Sequence, residues 1–150
     1  MKLKSAHHTG FVVANLEKSI DFYTQVLGLK LAIEPSPWAE GPGLDLGLGV
    51  SGARIRSASI AVGTSTLIEL VEFGHSTPAV SDPKRDGLRT AHMCFEVDNA
   101  VETRQELIAK GVRFTSEVNE ITEGPQAGWK WVYFLDPDDI TLELIEINKA

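Results

Sequence analysis

The chain has 150 residues, of which 43% are hydrophobic and 23% charged. This length supports one substantial core but not two ordinary independent domains, and the balanced composition excludes a disordered, collagen-like or coiled-coil chain. The formal net charge of −7 argues against a nucleic-acid partner, since a polyphosphate backbone would be repelled unless basic residues were gathered on one face.

Strand and helix patterns occur in the same order in the two halves of the chain. In the first half, alternating residues predict a strand over 6–13, and apolar residues at three- and four-residue steps predict a helix over 16–27. Asn15 is placed to cap the start of this helix and Gly28 to end it. Three more strands are predicted at 30–34, 54–62 and 66–73.

The second half predicts the same series of elements. A strand is predicted over 91–97, and a helix follows between Asn99 and Gly111. The apolar positions of this helix are less regular than those of the first: Val101, Leu107 and Ile108. Three more strands are predicted at 112–116, 129–135 and 140–147.

The two halves also repeat one another residue by residue. The segment that begins at His8, HTGFVVANLEKSIDFYTQVLGLKL, matches the segment that begins at His92, HMCFEVDNAVETRQELIAKGVRF. The later segments IELVEF and LELIEI match as well, which sets Glu69 opposite Glu143. The repeat predicts an α+β fold of two tandem βαβββ modules at 1–73 and 88–150, joined by a linker at 74–87.

Two irregular stretches interrupt this pattern. The sequence GHSTPAVSDPKRDG, residues 74–87, has the Pro, Ser and Gly content that is typical of a linker. Residues 35–52 hold three prolines and, before Val50, four glycines, and they are long enough for a functional loop over a site with Trp38 as its anchor. A disordered surface excursion explains the same composition, so both interpretations are open at this point.

Side-chain alternation predicts which strand residues share a face. His8 and His92 point away from the helices, because Phe and Val residues take the helix-facing positions of their strands. Glu69 and Glu143 project to the same face as the histidines. Their neighbours form the helix-facing core: Ile68, Leu70, Leu142 and Leu144. A carboxylate on a partly dry face costs several kcal/mol or titrates upward unless it has a partner.

A shared divalent cation would remove this cost. The imidazoles of His8 and His92 and the carboxylates of Glu69 and Glu143 make an N₂O₂ set that balances the charge of M²⁺ and leaves positions for water or substrate. These donors favour Ni, Co, Mn or Fe(II) and permit Zn. Cys94 is the only cysteine, so a disulfide within the chain and a thiolate cluster are excluded. A lone strand histidine is more often simply exposed or hydrogen-bonded, but two equivalent His–Glu pairs favour a metal site.

Four further polar residues are set aside as bystanders. His7 lies on the opposite strand face from His8, and His75 lies in the predicted linker. Glu72 and Glu146 are interpreted as plain solvent-facing strand charges.

The opening motif HTGFVVANLEKSIDFYTQVLGL and the closing motif GWKWVYFLDPDDITLELIE resemble those of the vicinal oxygen chelate superfamily. This group includes glyoxalase I, methylmalonyl-CoA epimerase, extradiol dioxygenases, and bleomycin or fosfomycin resistance proteins. The resemblance covers nearly the whole chain and implies a U-shaped, partly closed β-sheet cleft with the helices outside. It places the family's metal ligands at His8, Glu69, His92 and Glu143. Asp139 stands where the family usually has Gly, but Asp tolerates left-handed geometry, so we expect the turn to persist.

Four protein ligands resemble glyoxalase I and the epimerases, whereas the dioxygenases and fosfomycin-modifying relatives typically use two His and one carboxylate. The resemblance therefore implies a metal-dependent lyase or isomerase, in which the metal chelates two neighbouring oxygens of a small-molecule substrate and a glutamate moves a proton through an enediolate. Glu143 is the expected base, with Glu69 as ligand and second candidate base.

Three alternatives to this activity are kept. ARIRSASIAVG shows no equivalent of the additional carboxylate of the epimerases, which counts against a methylmalonyl-type acyl-CoA epimerase. An Fe(II) extradiol dioxygenase and a metal-free resistance or binding protein are the other two.

Substrate-binding residues are indicated less sharply. Arg54 and Arg56 share a strand face and are candidates to clamp a substrate carboxylate, and Trp131, with Trp129, is a candidate to line an apolar pocket. Three more basic residues are candidates to meet the anionic tail of a thiol carrier: Lys84, Arg85 and Arg89. Solvated charge and core packing are the competing interpretations of all these residues.

The sequence also predicts where the protein is located and how its chains assemble. No apolar run is long enough to span a bilayer and the start does not resemble a signal peptide, which predicts a cytoplasmic protein. The edges of two small sheets favour a homodimer, in which either one chain or two supply each cleft.

Overall fold

A computed structural model describes residues 4–75 and 90–147, which form two compact units, one before and one after residues 76–89. Each unit is built on an open, mixed five-stranded sheet, and both sheets have the same strand order. The predicted α+β fold of tandem βαβββ modules is confirmed. The predicted linker lies outside the described residues from residue 76 onward. None of the helices in the described ranges has the length and apolar character needed to cross a bilayer.

The described part of the first unit contains the elements β1 (His8–Val13), α1 (Leu16–Asp21), β2 (Lys30–Ile33), β3 (Ala39–Glu40), α2 (Pro42–Leu48), β4 (Arg54–Val62) and β5 (Thr66–Phe73). The sheet order is β1-β5-β4-β2, with β3 also paired to β4. β1 runs parallel to β5, and the other neighbours are antiparallel. The predicted bounds of β4 and β5 are confirmed to the residue.

The described part of the second unit repeats this arrangement with β6 (Met93–Glu96), α3 (Ala100–Ala109), β7 (Arg113–Phe114), β8 (Asn119–Glu120), β9 (Lys130–Leu135) and β10 (Thr141–Glu146). The sheet order is β6-β10-β9-β7, with β8 also paired to β9. β6 is parallel to β10, as β1 is to β5. The repeat in the sequence is therefore a repeat of the fold.

Each first helix begins at an asparagine cap. Asn15 Oδ1 accepts a hydrogen bond from Lys18 N at 2.8 Å, and Asn99 Oδ1 accepts one from Glu102 N at 3.0 Å. These side chains satisfy backbone N–H groups that have no partner within the helix. The predicted cap at Asn15 is confirmed, and Asn99 takes the same role in the second unit.

The helix after Asn15 is a single segment that widens in its last turn. After α1 the chain continues as a π-helical turn over Phe22–Val26, where Leu27 N donates to Phe22 O at 3.0 Å. Gly28 has a φ of 73° and ends the helix, as predicted.

The core of each sheet lies on its helix-facing side. Ile68 and Leu70 on β5, and Leu142 and Leu144 on β10, are buried, which confirms the predicted strand phase. Burial of an aliphatic side chain of this size contributes about 1.5–3 kcal/mol. Leu16 and Tyr23 of the first helical segment are fully buried as well. In α3, by contrast, only one of the three apolar residues that predict the helix is buried: Leu107 is, whereas Val101 and Ile108 are exposed.

Glu72 is not the solvent-facing charge that the sequence suggests. Its side chain is 14% exposed, and its Oε2 accepts hydrogen bonds from Leu16 N at 2.6 Å and from an Arg56 Nη at 2.7 Å. The carboxylate therefore lies at the N-terminus of α1, where negative charge is favourable, and is paired with a cation from the neighbouring strand.

Glu146 makes the equivalent contacts in the second unit, so the interpretation of this residue was also wrong. Its Oε2 accepts from Ala100 N at 2.9 Å, and its Oε1 accepts from Lys130 Nζ at 2.7 Å. The hydrogen bond from Lys130, followed by the one from Ala100, lowers the pKa of the Glu146 carboxyl. In both units, a glutamate three residues after the site glutamate fastens the sheet to the start of a helix.

Residues 35–52 are not an irregular excursion, since they contain β3 and α2. Asp45 accepts hydrogen bonds from Gly52 N at 2.7 Å and Ala53 N at 2.8 Å, which closes this segment on itself. Trp38 lies against the guanidinium of Arg54, 4.5 Å from the ring centroid. Trp38 therefore anchors the segment, but on the helix-facing side of β4 and not over the face that carries Glu69, and the disordered interpretation was wrong.

The turn between β9 and β10 holds the strands in register. Asp136 is buried, and its Oδ1 accepts hydrogen bonds from Asp138 N at 2.8 Å and Ile140 N at 2.9 Å. Asp139 has a φ of 65°, the left-handed conformation expected where relatives usually have Gly. It also pairs with Arg113, so the turn persists as predicted.

Candidate functional site

The first unit brings His8 and Glu69 together on the sheet face that points away from α1. β1 and β5 are parallel, with His8 opposite Leu67 and Gly10 opposite Glu69. His8 Nε2 and Glu69 Oε2 are 3.4 Å apart. The predicted pairing of these two side chains within the unit is present.

The second unit places His92 and Glu143 in the same way. Cys94 lies opposite Glu143 in the parallel β6–β10 pair, as Gly10 lies opposite Glu69. His92 Nε2 and Glu143 Oε2 are 2.9 Å apart. The Glu143 side chain is 12% exposed, against 37% for Glu69, so the second carboxylate is held more firmly by its surroundings.

The donor atoms within each pair have a spacing that suits one metal ion. Two ligand atoms bound at about 2.1 Å, with about 90–110° between them, lie about 3.0–3.4 Å apart. The observed separations of 3.4 and 2.9 Å fall at or close to this range. Within either unit as described, no three His, Cys, Asp or Glu side chains gather into a group that could hold a metal. Two side chains are too few to hold a metal alone, so a metal site formed by joining the two pairs stays a prediction; each His–Glu pair is named a half-site for that prediction.

Cys94 and Tyr133 flank Glu143 on the face of the second sheet. Both lie directly opposite Glu143, one on each neighbouring strand. Removal of water around the sulfur, followed by repulsion from the Glu143 carboxylate, raises the pKa of the Cys94 thiol to about 12, although the residue as a whole is exposed. The same two causes raise the pKa of Tyr133. Both groups keep their protons at neutral pH.

Tyr133 is a site-face residue that sequence reasoning missed. Its ring centroid lies 5.1 Å from that of His92 and 5.3 Å from that of Trp131. Strand alternation could have identified Tyr133, because residues 131 and 133 share a strand face and Trp131 was already a candidate to line a pocket. The structure places Trp131 beside the half-site, opposite Ile145 and two residues from Tyr133.

Smaller residues surround the first half-site. Ser59 lies opposite Glu69 on β4, in the place that Tyr133 takes opposite Glu143, and Ser59 is buried. His7 Nδ1 lies 2.9 Å from His8 Nδ1, so His7 is in contact with the half-site despite its strand phase. If His8 Nδ1 donates this hydrogen bond, its Nε2 keeps the lone pair that a metal requires.

Arg54 and Arg56 are not brought to the half-site. Both lie on the helix-facing side of β4, because Arg56 is opposite Glu72 whereas Ser59 is opposite Glu69. Arg56 donates two hydrogen bonds to Glu17, at 2.5 and 2.7 Å, in addition to its bond to Glu72. Arg54 pairs with Glu40 at 3.6 Å. The predicted carboxylate clamp is wrong, because these guanidinium groups hold α1, β3 and Trp38. The other basic candidates, Lys84, Arg85 and Arg89, lie outside the described residues.

Comparisons of sequence and of structure both relate this chain to glyoxalase-family proteins. The sequence model of the Glyoxalase/Bleomycin resistance protein/Dioxygenase superfamily matches residues 5–144. A 2-epi-5-epi-valiolone epimerase from Actinomyces sp. is 31% identical over 145 residues, which cover 95% of this chain and 79% of that protein. A lactoylglutathione lyase from Escherichia coli O157:H7 is 31% identical over 145 residues, covering 95% and 93%. The solved structure of a glyoxalase family protein from Bacillus cereus superposes with a TM-score of 0.80 at 21% identity, covering 98% and 96%.

Proposed function

Because the chain belongs to the Glyoxalase/Bleomycin resistance protein/Dioxygenase superfamily, we propose that it is a divalent-metal-dependent enzyme of the glyoxalase I type, which moves a proton on a carbon next to a carbonyl. The observation that carries this proposal is the repeated His–Glu pair, set at equivalent register positions in both units. The relatives named as lyase and epimerase support the same class of chemistry.

In this proposal the two half-sites bind one ion through His8, Glu69, His92 and Glu143. Neutral imidazoles and ionised carboxylates are ligands for Ni, Co, Mn, Fe or Zn, and two negative charges match a divalent ion. Such an ion supplies Lewis-acid polarisation of a substrate carbonyl, which makes the neighbouring C–H bond more acidic. One chain or two could supply the ligands of each site with the same chemistry.

Glu143 is the proposed base. A carboxylate oxygen of Glu143 accepts the proton from the carbon next to the carbonyl, which leaves an enediolate. The same oxygen then returns the proton to the neighbouring carbon. Its low exposure favours this role over Glu69, since a base held in one position by its neighbours is already oriented. The protonated thiol of Cys94 beside it donates a hydrogen bond to the carboxylate and so helps to orient it.

An epimerase is the second candidate, favoured by the Actinomyces relative. In that case Glu69 and Glu143 would serve as bases on opposite faces of one carbon. The site-facing positions of β4 provide no additional carboxylate, since they are Ile55, Ser57, Ser59 and Ala61. A methylmalonyl-type epimerase that needs a third acid on this strand is therefore disfavoured.

Proton exchange in deuterated water tests the proposal. The protein, loaded in turn with Ni²⁺, Co²⁺, Mn²⁺, Fe²⁺ and Zn²⁺, is incubated with dihydroxyacetone or with the glutathione–methylglyoxal adduct, and deuterium incorporation is followed by NMR. We expect exchange next to the carbonyl that requires metal and is abolished by chelation. Absence of exchange with every metal, or oxygen consumption with catechol in its place, would contradict the proposal.

A further inference from the structure

A row of aromatic rings runs along the site-facing side of the second sheet. Trp131 and Tyr133 are two residues apart on β9, so their side chains share one face, and they lie opposite Ile145 and Glu143 of β10. The Trp131 ring lies 5.3 Å from Tyr133 at an interplanar angle of 63°, and Tyr133 lies 5.1 Å from His92. One edge-on and one tilted ring contact thus join three rings beside the Glu143 carboxylate.

The first sheet has no such row at the equivalent positions. Ser57 and Ser59 of β4 lie opposite Val71 and Glu69, as Trp131 and Tyr133 lie opposite Ile145 and Glu143. Both units keep the His–Glu pair, but the equivalent strand positions beside it are aromatic on β9 and small and polar on β4. A duplicated scaffold needs no such difference for its packing, because Val132 and Phe134 supply the buried core of β9 on its other side.

The arginine side chains of residues 4–75 and 90–147 are already engaged in ion pairs. All four arginines within the described ranges are paired with carboxylates: Arg54 with Glu40, Arg56 with Glu17 and Glu72, Arg104 with Glu117, and Arg113 with Asp139. Lys130, next to Trp131, is paired with Glu146 on the helix-facing side. No arginine in these ranges is left to bind an anionic tail in a forked geometry.

We propose that Trp131 and Tyr133 form the recognition surface for an uncharged cyclic hydroxyketone, with one face of the ring on the indole and its oxygens toward His92 and Glu143. The proposal rests on the proposed function for the reacting oxygens. The C–H face of a small saturated ring is flat and apolar, which suits an aromatic side chain, whereas its oxygens suit the polar His92 and Glu143 side chains beside Tyr133. Trp131 then sets specificity and Glu143 carries the proton.

Two measurements on Trp131→Ser, which places at 131 the residue found at position 57, test this role. The first is the KM for proton exchange with 2-hydroxycyclohexanone, and the second is the dissociation constant of trans-1,2-cyclohexanediol by calorimetry. Both should rise about tenfold in the variant, because a buried aromatic contact is removed, with kcat changed less than about threefold. Trp131→Phe keeps an aromatic face and should stay within about threefold of the wild type. Trp38→Phe, on the other side of the first sheet, is the matched control.

The outcomes separate this inference from the proposed function. Diol binding that weakens in Trp131→Ser, but not in Trp131→Phe, supports the aromatic surface even if no compound exchanges protons. Unchanged diol binding and unchanged KM in Trp131→Ser overturn it, even if exchange is robust. A preference of the wild type for the anionic glutathione–methylglyoxal adduct over the cyclic ketone by tenfold or more in kcat/KM would overturn it as well. Thermal unfolding of each variant establishes that the fold is retained.

Discussion

Glu143→Gln is expected to lower the rate of metal-dependent proton exchange by about a thousandfold, the usual range for loss of a general base. The amide keeps the size of the side chain and its place between Cys94 and Tyr133, but it cannot accept the proton. Glu69→Gln should act mainly through weaker metal binding, so saturating metal should restore much of its activity but not that of Glu143→Gln. Deuterium incorporation at increasing metal concentration measures both effects.

The chain offers a matched control for each of these variants. Glu146 and Glu72 lie three residues after the site glutamates on the same strands, but they face the helices and bind the helix N-termini. Glu146→Gln and Glu72→Gln should leave the exchange rate within about threefold of the wild type while lowering stability, since each loses a charge-assisted hydrogen bond. Equal losses of exchange in Glu143→Gln and Glu146→Gln would rule out a specific role for Glu143.

Asp136→Ala is expected to lower the free energy of unfolding by about 3 kcal/mol. The substitution removes a buried carboxylate that accepts hydrogen bonds from the N–H groups of Asp138 and Ile140, and it leaves these donors without that partner in the turn. This turn joins the strands that carry Tyr133 and Glu143, so its loss also loosens their register. Urea unfolding followed by circular dichroism gives the change in free energy.

Asp136→Asn is the conservative comparison. Its amide oxygen still accepts both backbone hydrogen bonds, so we expect a loss of only about 1 kcal/mol, since neutral acceptors are weaker than charged ones. A loss below about 0.5 kcal/mol for Asp136→Ala would show that the buried carboxylate does not hold the turn together.

The fold was predictable because both halves of the repeat contain residues with strong preferences for particular backbone conformations. Asn15 and Asn99 cap helices, Gly28 takes a left-handed conformation, and the long strands β4 and β5 have extended apolar alternation. Each of these signals acts within a few residues. They indicate element order and strand phase without reference to any tertiary contact.

The elements that were missed depend on longer-range contacts. β3 and β8 are two residues long and exist only through pairing with β4 and β9. α2 lies in a Pro- and Gly-rich stretch and is followed by hydrogen bonds from Gly52 and Ala53 to Asp45. The local signals of α2 are Pro42 in its first turn and the left-handed Gly49 at its end, and they are hard to recognise among the other prolines and glycines of this stretch.

The candidate site was also predictable only where the prediction depends on local strand alternation. Strand phase assigns Glu69 and Glu143 to the same sheet face as His8 and His92, and the structure brings His8 to Glu69 and His92 to Glu143. Phase could not place Arg56, because its partners Glu17 and Glu72 come from different elements. Nor does phase reveal that a glutamate bonds to a helix N-terminus, since that depends on how the helix docks on the sheet.

Metal titration of single-histidine variants tests most directly whether the two half-sites share one ion. Metal-free protein is titrated with Ni²⁺ by calorimetry, with His8→Ala, His92→Ala and, as control, His75→Ala measured alongside. We predict one high-affinity ion per chain, bound about a hundredfold more weakly in both His8→Ala and His92→Ala and unchanged in His75→Ala. Two independent ions per chain, or unchanged affinity in either site variant, would contradict a shared metal centre.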